Sequence, residues 1–225
     1  MKRHLLLALA AALTLTTGVQ ASNLLNNAGF EDPLGFDFSD VTNWNGFFGG
    51  PPGAFLEAFN DTGAPAFAGA QALELTIEAG TFEGQPVNAT NSFVGHTQSV
   101  PGVSEGDELV YSVWARNNAS GLTGNVEFRI EYRDGGGGEI SRDQILLDGG
   151  LTSEYQPFSV MGTAPAGTES VNVVMALATF NQDVPHSHSV LFDNASLTSS
   201  AIPEPTGLLL AGLTAVGVAT ARRQR

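Results

Sequence analysis

Eight residues near the middle of the chain leave the backbone little freedom. From Val126 to Arg133, apolar and charged side chains alternate without a break. Val126, Phe128, Ile130 and Tyr132 take one parity; Glu127, Arg129, Glu131 and Arg133 take the other. A backbone with a repeat of two residues places these sets on opposite faces of a strand, whereas a helix would scatter both around its circumference. The segment therefore predicts a strand with one face buried and one face wet.

Other segments share this habit. Ala72–Ile77 alternates apolar and polar residues, and Leu109–Arg116 places Tyr111 and Val113 on one side with Trp114 and Arg116 towards the other. Glu139–Leu147, after the Asp134 and Gly135–Gly138 turn, reads as the returning partner of Val126–Arg133. Gln156–Met161, Ser170–Ala178 and Ser189–Leu197 read as later strands, and Gly46–Pro65 as a long loop. The 27 glycines and 11 prolines break the chain roughly every ten residues, and no stretch between them carries a capped helical period. The expected fold class is all-β: an antiparallel β-sandwich spanning Ser22 to about Ser200. There is no cysteine, so neither disulfides nor thiolate chemistry contribute.

The two ends follow other rules. Lys2 and Arg3 precede an apolar run over Leu5–Leu15, and Val19-Gln20-Ala21 supplies the small residues of a cleavage site. This is the layout of a removable secretory signal over residues 1–21. At the far end, Pro203-Glu204-Pro205 precedes an apolar stretch over Thr206–Ala221 and then Arg222, Arg223 and Arg225. As a helix that stretch would reach about 24 Å, short for a bilayer core but compatible with a thin one. The motif, the hydrophobic helix and the arginine cluster, in that order, resemble the PEP-CTERM sorting signal of Gram-negative bacteria. The resemblance implies an exosortase-type membrane protease as partner, transient inner-membrane anchoring, and a setting in exopolysaccharide and biofilm production.

Between the ends the charge is lopsided. Lys2 is the only lysine, and the middle of the chain holds four arginines against all but one of the 23 acidic residues, a net charge of about −18. Such a surface repels nucleic acid and anionic membranes and attracts divalent cations.

Several short runs recur in a telling order: Asn23-Leu24-Leu25-Asn26-Asn27-Ala28-Gly29-Phe30-Glu31, then Trp44, Gly69-Ala70-Gln71-Ala72-Leu73, Thr97-Gln98-Ser99-Val100, Val113-Trp114-Ala115-Arg116 and Val190-Leu191-Phe192-Asp193-Asn194. Together they resemble the galactose-binding-like jelly rolls, which include many carbohydrate-binding modules. That resemblance implies a structural calcium ion where the first and last strands meet. Its positions here are Glu31, after the first strand, and Asp193, at the end of the last, with carbonyls from Gly29 and Ala70. Hard carboxylate and carbonyl oxygens suit that ion; the alternative is that Asp193 caps a turn and Glu31 is solvated.

A polysaccharide needs aromatic platforms beside hydrogen-bonding groups. Trp114 and Arg116 with Glu127, Arg129, Glu131 and Arg133 form one candidate face, with Phe47, Phe48 and Phe55 at its rim. Against this stand a core position for Trp114 and a simple cross-strand charge ladder. His186-Ser187-His188 has no third ligand at metal-site spacing and reads as an exposed loop. No nucleophile motif is present. The fold resemblance and the sorting tail together imply a non-enzymatic extracellular polysaccharide-binding protein; the alternatives are a structural or adhesive matrix protein without a small ligand and, behind it, a polysaccharide-active enzyme acting through its carboxylates.

Overall fold

Period-two patterning becomes two stacked antiparallel sheets. The computed structural model describes residues 22–32, 41–61, 63, 65–118, 124–147, 149–180 and 187–200; the proposed signal and the sorting tail, including Pro203, Glu204, Pro205, Arg222 and Arg223, lie outside them. The strands are β1 (Asn45–Gly49), β2 (Phe55–Asp61), β3 (Ala72–Glu78), β4 (Gly80–Phe82), β5 (Gln85–Val87), β6 (Phe93–Pro101), β7 (Glu108–Asn117), β8 (Asn125–Arg133), β9 (Glu139–Leu146), β10 (Gln156–Thr163), β11 (Ser170–Ala178) and β12 (His188–Ser200). The first sheet has the order β1-β6-β11-β8-β9 and the second β10-β7-β12-β3-β2; β4 and β5 form a small separate hairpin. This is the expected jelly-roll-like β-sandwich.

The core lies between the sheets. Val126, Phe128, Ile130 and Tyr132 of β8 face Tyr111 and Val113 of β7, Leu73, Leu75 and Ile77 of β3, and Phe192 of β12; all are buried. Tyr111 and Phe128 stack across the gap with ring centroids 4.0 Å apart.

The asparagine-rich opening run closes one end of the sandwich through single bonds rather than a ladder. Leu24 donates its N–H to Leu197 O at 2.8 Å. The Gln98 side chain accepts from Asn26 N at 2.8 Å and donates to Asn26 O at 2.9 Å. Phe30 and Trp44 pack beside it at 5.4 Å, and Trp44 Nε1 donates to Asn27 O.

Three expectations need correction. The region read as a long loop holds β1 and β2, because phenylalanine-rich stretches between glycines and prolines can serve as sheet-edge strands despite weak alternation. Asp193 sits inside β12, at a bulge between Asp193 and Ser196, rather than at its end. His188 is not exposed: it opens β12 and is fully buried, opposite Ile77.

Candidate functional site: a groove on the first sheet

Burying Val126, Phe128, Ile130 and Tyr132 forces Glu127, Arg129, Glu131 and Arg133 onto the outer face of the first sheet. They form a continuous ladder. Arg129 bonds Glu127 through Nη1 and Glu131 through Nε, the latter at 2.7 Å. Arg133 pairs with the other oxygen of Glu131 and reaches Glu139 at 3.7 Å, and Arg142 clamps Glu139 at 2.6 and 2.8 Å. Burial works to raise the Glu131 pKa, but hydrogen bonds and charge from Arg129 and Arg133 outweigh it and hold the carboxyl below its ordinary value.

β11 and β6 supply small residues beside this ladder. Ala176 lies opposite Glu127, Val174 opposite Arg129 and Asn172 opposite Glu131. On the next strand Gly95 faces Ala176 and Thr97 faces Val174. Gly95 is required here, because a Cβ would meet both the Phe47 ring and Met175 O. The far wall is aromatic: Phe47, Phe93 and Phe180 follow one another with centroids 6.4 and 6.2 Å apart.

The result is a trough with a phenylalanine wall, a floor of small side chains and a wall of paired carboxylates and guanidiniums. It contains two adjoining depressions, of about 230 Å³ over Ala176 and Ala178 and about 210 Å³ over Val174 and Asn172; Phe47 and Arg129 line both. Chemically the trough sets apolar ring faces opposite charged hydrogen-bonding groups.

The expected set of ligand residues divides. Glu127, Arg129, Glu131, Arg133 and Phe47 meet at the groove. Trp114 and Arg116 do not join them: β7 pairs with β10 and β12 in the second sheet, so side chains of its outward parity emerge on the opposite side of the molecule. Trp114 is not core either. Phe67 stacks on it at 3.9 Å, nearly parallel at 12°. Phe48 and Phe55 are exposed and line neither depression. Phe93, Phe180, Thr97 and Asn172 were missed; extending the alternation of the Ser170–Ala178 strand to its neighbour would have exposed the floor.

Glu31, Asp193 and Ala70 do converge, around the turn over residues 67–71. The Glu31 carboxylate accepts from Ala70 N at 2.9 and 3.1 Å and from Gln71 N at 3.1 Å. Asp193 accepts from Ala68 N at 2.9 Å and Asn194 N at 2.6 Å. Gly69, at φ +72°, leaves room for Glu31 where any Cβ would overlap the carboxylate. Ala70 thus enters as an N–H donor rather than through its carbonyl, because the turn directs its amide at Glu31. Gly29 lies alongside, where an added Cβ would sit 3.7 Å from Glu31 Cγ.

Asp193 is fully buried. Burial raises its pKa, the neighbouring charge of Glu31 adds to the rise, and backbone N–H groups oppose it. Among the described residues no cationic side chain pairs with either carboxylate. Gln71, whose amide donates to Glu31 O, leaves its own Oε1 buried without a partner. Two crowded carboxylates and an orphan amide oxygen fit a hard cation, although no group of three or more His, Cys, Asp or Glu side chains positioned for a metal occurs among the described residues.

No protein-family model matches the chain, and no curated protein matches it. Solved structures do resemble it. A Stig cyclase from Fischerella sp. TAU aligns over 80% of this chain and 98% of its own, at 14% identity and a TM-score of 0.57. The enzymatically active domain of bacteriophage CBA120 tailspike protein 4 aligns over 79% of this chain at 12% identity and a TM-score of 0.57, but this chain spans only 21% of that one. A carbohydrate-binding module of the β-sandwich superfamily aligns over 74% of this chain and 62% of its own, at 14% identity and a TM-score of 0.48. The first two likenesses define the class of fold, a jelly-roll β-sandwich, at identities where fold and function part company.

Proposed function

We propose that this is an exported, non-enzymatic polysaccharide-binding protein whose ligand chain lies in the groove of the first sheet. The observation that carries the reading is the pairing of an aromatic wall with a wall of fixed hydrogen-bonding groups across a floor of small residues. Glu131, held ionised by two arginines, is in the wrong state for a general acid, which favours binding over hydrolysis. The signal and the PEP-CTERM-like tail support delivery to the cell surface or its matrix after processing by an exosortase-type protease.

Affinity electrophoresis of the full-length protein through xylan, β-1,4-galactan, hydroxyethylcellulose and the exopolysaccharide of the producing cell is the direct test. Retardation in at least one gel is expected. Phe47→Ala and Arg129→Gln should each weaken it by about tenfold, a loss of one platform or one charged hydrogen-bonding arm. Free migration in every gel overturns the reading.

The pair Glu31 and Asp193 we assign to a structural calcium ion, with Gln71 Oε1 as a further oxygen. Calcium should then raise the melting temperature by several degrees at concentrations well above its Kd. Asp193→Asn should abolish that increment. Melting curves that coincide in calcium and in chelator would sink the assignment.

A further inference from the structure

The four arginines of the sandwich are unequally employed. Arg129, Arg133 and Arg142 are all ion-paired on the first sheet. Arg116 stands on the second, and no carboxylate pairs with it among the described residues. Its Nη2 donates to Asn118 Oδ1 at 3.0 Å, and the Asn118 amide in turn donates to Glu74 at 3.0 Å. The nearest acid on that path is therefore reached only through a neutral amide. Arg116 Nε is buried without an acceptor, and the guanidinium is held over the Tyr155 ring, 5.7 Å from its centroid. Nη1 makes no hydrogen bond among the described residues and is not buried; in a chain of net charge −14, an oriented guanidinium with that edge free can receive an anion.

An aromatic platform adjoins it. Trp114 is two residues away on the same face of β7, a separation of about 7 Å. Phe67 lies flat against Trp114, and Tyr155 meets Phe67 edge-on with centroids 5.8 Å apart. Phe67 is 40% exposed, so part of its ring is in contact with solvent. Its position is fixed from below, because Asp193 accepts the N–H of the next residue, Ala68.

We propose that Phe67, Trp114, Tyr155 and Arg116 form a second binding site, on the outer face of the second sheet, for a carboxylated sugar residue. Phe67, backed by Trp114, takes the C–H face of the pyranose ring; Arg116 takes the uronate carboxylate through Nη1. The separation of platform and cation matches a ring that carries its charge at one edge. The acidic remainder of the surface repels densely charged polymers, so the fitting partner is a single uronate or a sparsely carboxylated chain. This site is independent of the groove and does not require the groove to bind anything.

Tryptophan emission reads the site directly. The chain has two tryptophans, and Trp44 is buried with its N–H bonded to Asn27 O, so a ligand-dependent change reports Trp114. The full-length protein is titrated with methyl glucuronide, the matched neutral methyl glucoside and acetate. A saturable change with glucuronide is expected, with the glucoside and acetate each weaker by about tenfold, the worth of one charged or one stacking contact. Arg116→Gln should erase the preference for glucuronide over glucoside, and Arg116→Lys, which keeps charge but loses the planar fork, should restore only part of it. Phe67→Ala should weaken both sugars alike. Melting curves of each variant identify any that fails to fold, and the wild-type comparison of glucuronide with glucoside and acetate decides the matter without them. Equal responses to glucuronide and glucoside, a response to acetate as strong as to glucuronide, or no response at all overturns the proposal. None of these outcomes bears on the groove, which is read from retardation in the β-1,4-galactan and hydroxyethylcellulose gels and its weakening in Phe47→Ala.

Discussion

Phe128→Ala should destabilise the protein by about 3–5 kcal/mol, the range for removing a buried ring from a core that relaxes only in part. Phe128 is fully buried, stacked on Tyr111, and flanked in register by Met175 on β11 and Ile145 on β9. β8 and β11 are paired on both sides and have little room to collapse into the hole. The Tyr111 hydroxyl, buried without a partner, already carries an unmet hydrogen bond, and losing the ring it stacks on removes compensating contact. Denaturant melts should show the midpoint falling at unchanged slope, and thermal melts a drop of about 10 °C for a domain of this size. Phe128→Leu should recover most of the loss, because it refills most of the volume. The effect should reach the groove as well. Glu127 and Arg129 leave the same strand on its other face, so a loosened β8 would weaken polysaccharide retention in Phe128→Ala more than in Phe128→Leu. A Phe128→Ala protein within about 1 kcal/mol of the parent would mean that the two sheets do not pack through this residue, since a substitution that small is typical of surface sites.

How much of this was legible beforehand depended on what fixed each feature. β8 was readable to within a residue because burial on one face and charge on the other leave a single register. Ser170–Ala178 was readable as an apolar run, but its outward residues are Asn172, Val174, Ala176 and Ala178, too small and mixed to advertise a groove floor. β1 was hidden because Phe47 and Phe48 are adjacent, which destroys the alternation; only pairing with β6 gives Phe47 a side. The placement of Trp114 failed for a different reason. Parity within β7 was right, since Tyr111 and Val113 do point inward, but parity says nothing about which sheet a strand joins. Two consecutive strands belonging to opposite sheets turn one imagined face into two real ones. Glu31 and Asp193 were found together because the asparagine-rich opening and the final strand resemble a known arrangement. No spacing rule links residues so far apart in the chain.

Acid should weaken the fold chiefly through His96. The residue sits on the inner face of β6, fully buried, with Nε2 3.4 Å from Ala58 O and Nδ1 without any partner. Burial lowers its pKa from 6.5 to about 4, against a smaller opposing effect of the Ala58 carbonyl. Above pH 6.5 the ring is neutral whether the chain is folded or not, and it contributes nothing to pH dependence. As pH falls below 6.5 the unfolded chain takes up a proton that the folded one refuses, so stability declines until about pH 4 and then levels off. The full excursion is about 3 kcal/mol. Glu131 works in the same direction at lower pH: its carboxyl is held below its ordinary pKa, so its stabilisation is lost as pH falls through the folded value. Asp193 works in the opposite direction. Its pKa is raised on folding, so protonation relieves the fold and partly offsets the loss near the acid end. Unfolding free energies measured from pH 7.5 to 3.5 in chelator, to keep calcium out of the balance, should therefore fall most steeply about midway between the two His96 values, near pH 5. His96→Gln, which keeps a polar group near Ala58 O but cannot titrate, should flatten that segment and leave the acid limb due to Glu131. A wild-type profile that is flat between pH 6.5 and 5 would show that His96 can take up its proton in place, with solvent or a rearranged Ala58 strand reaching Nδ1.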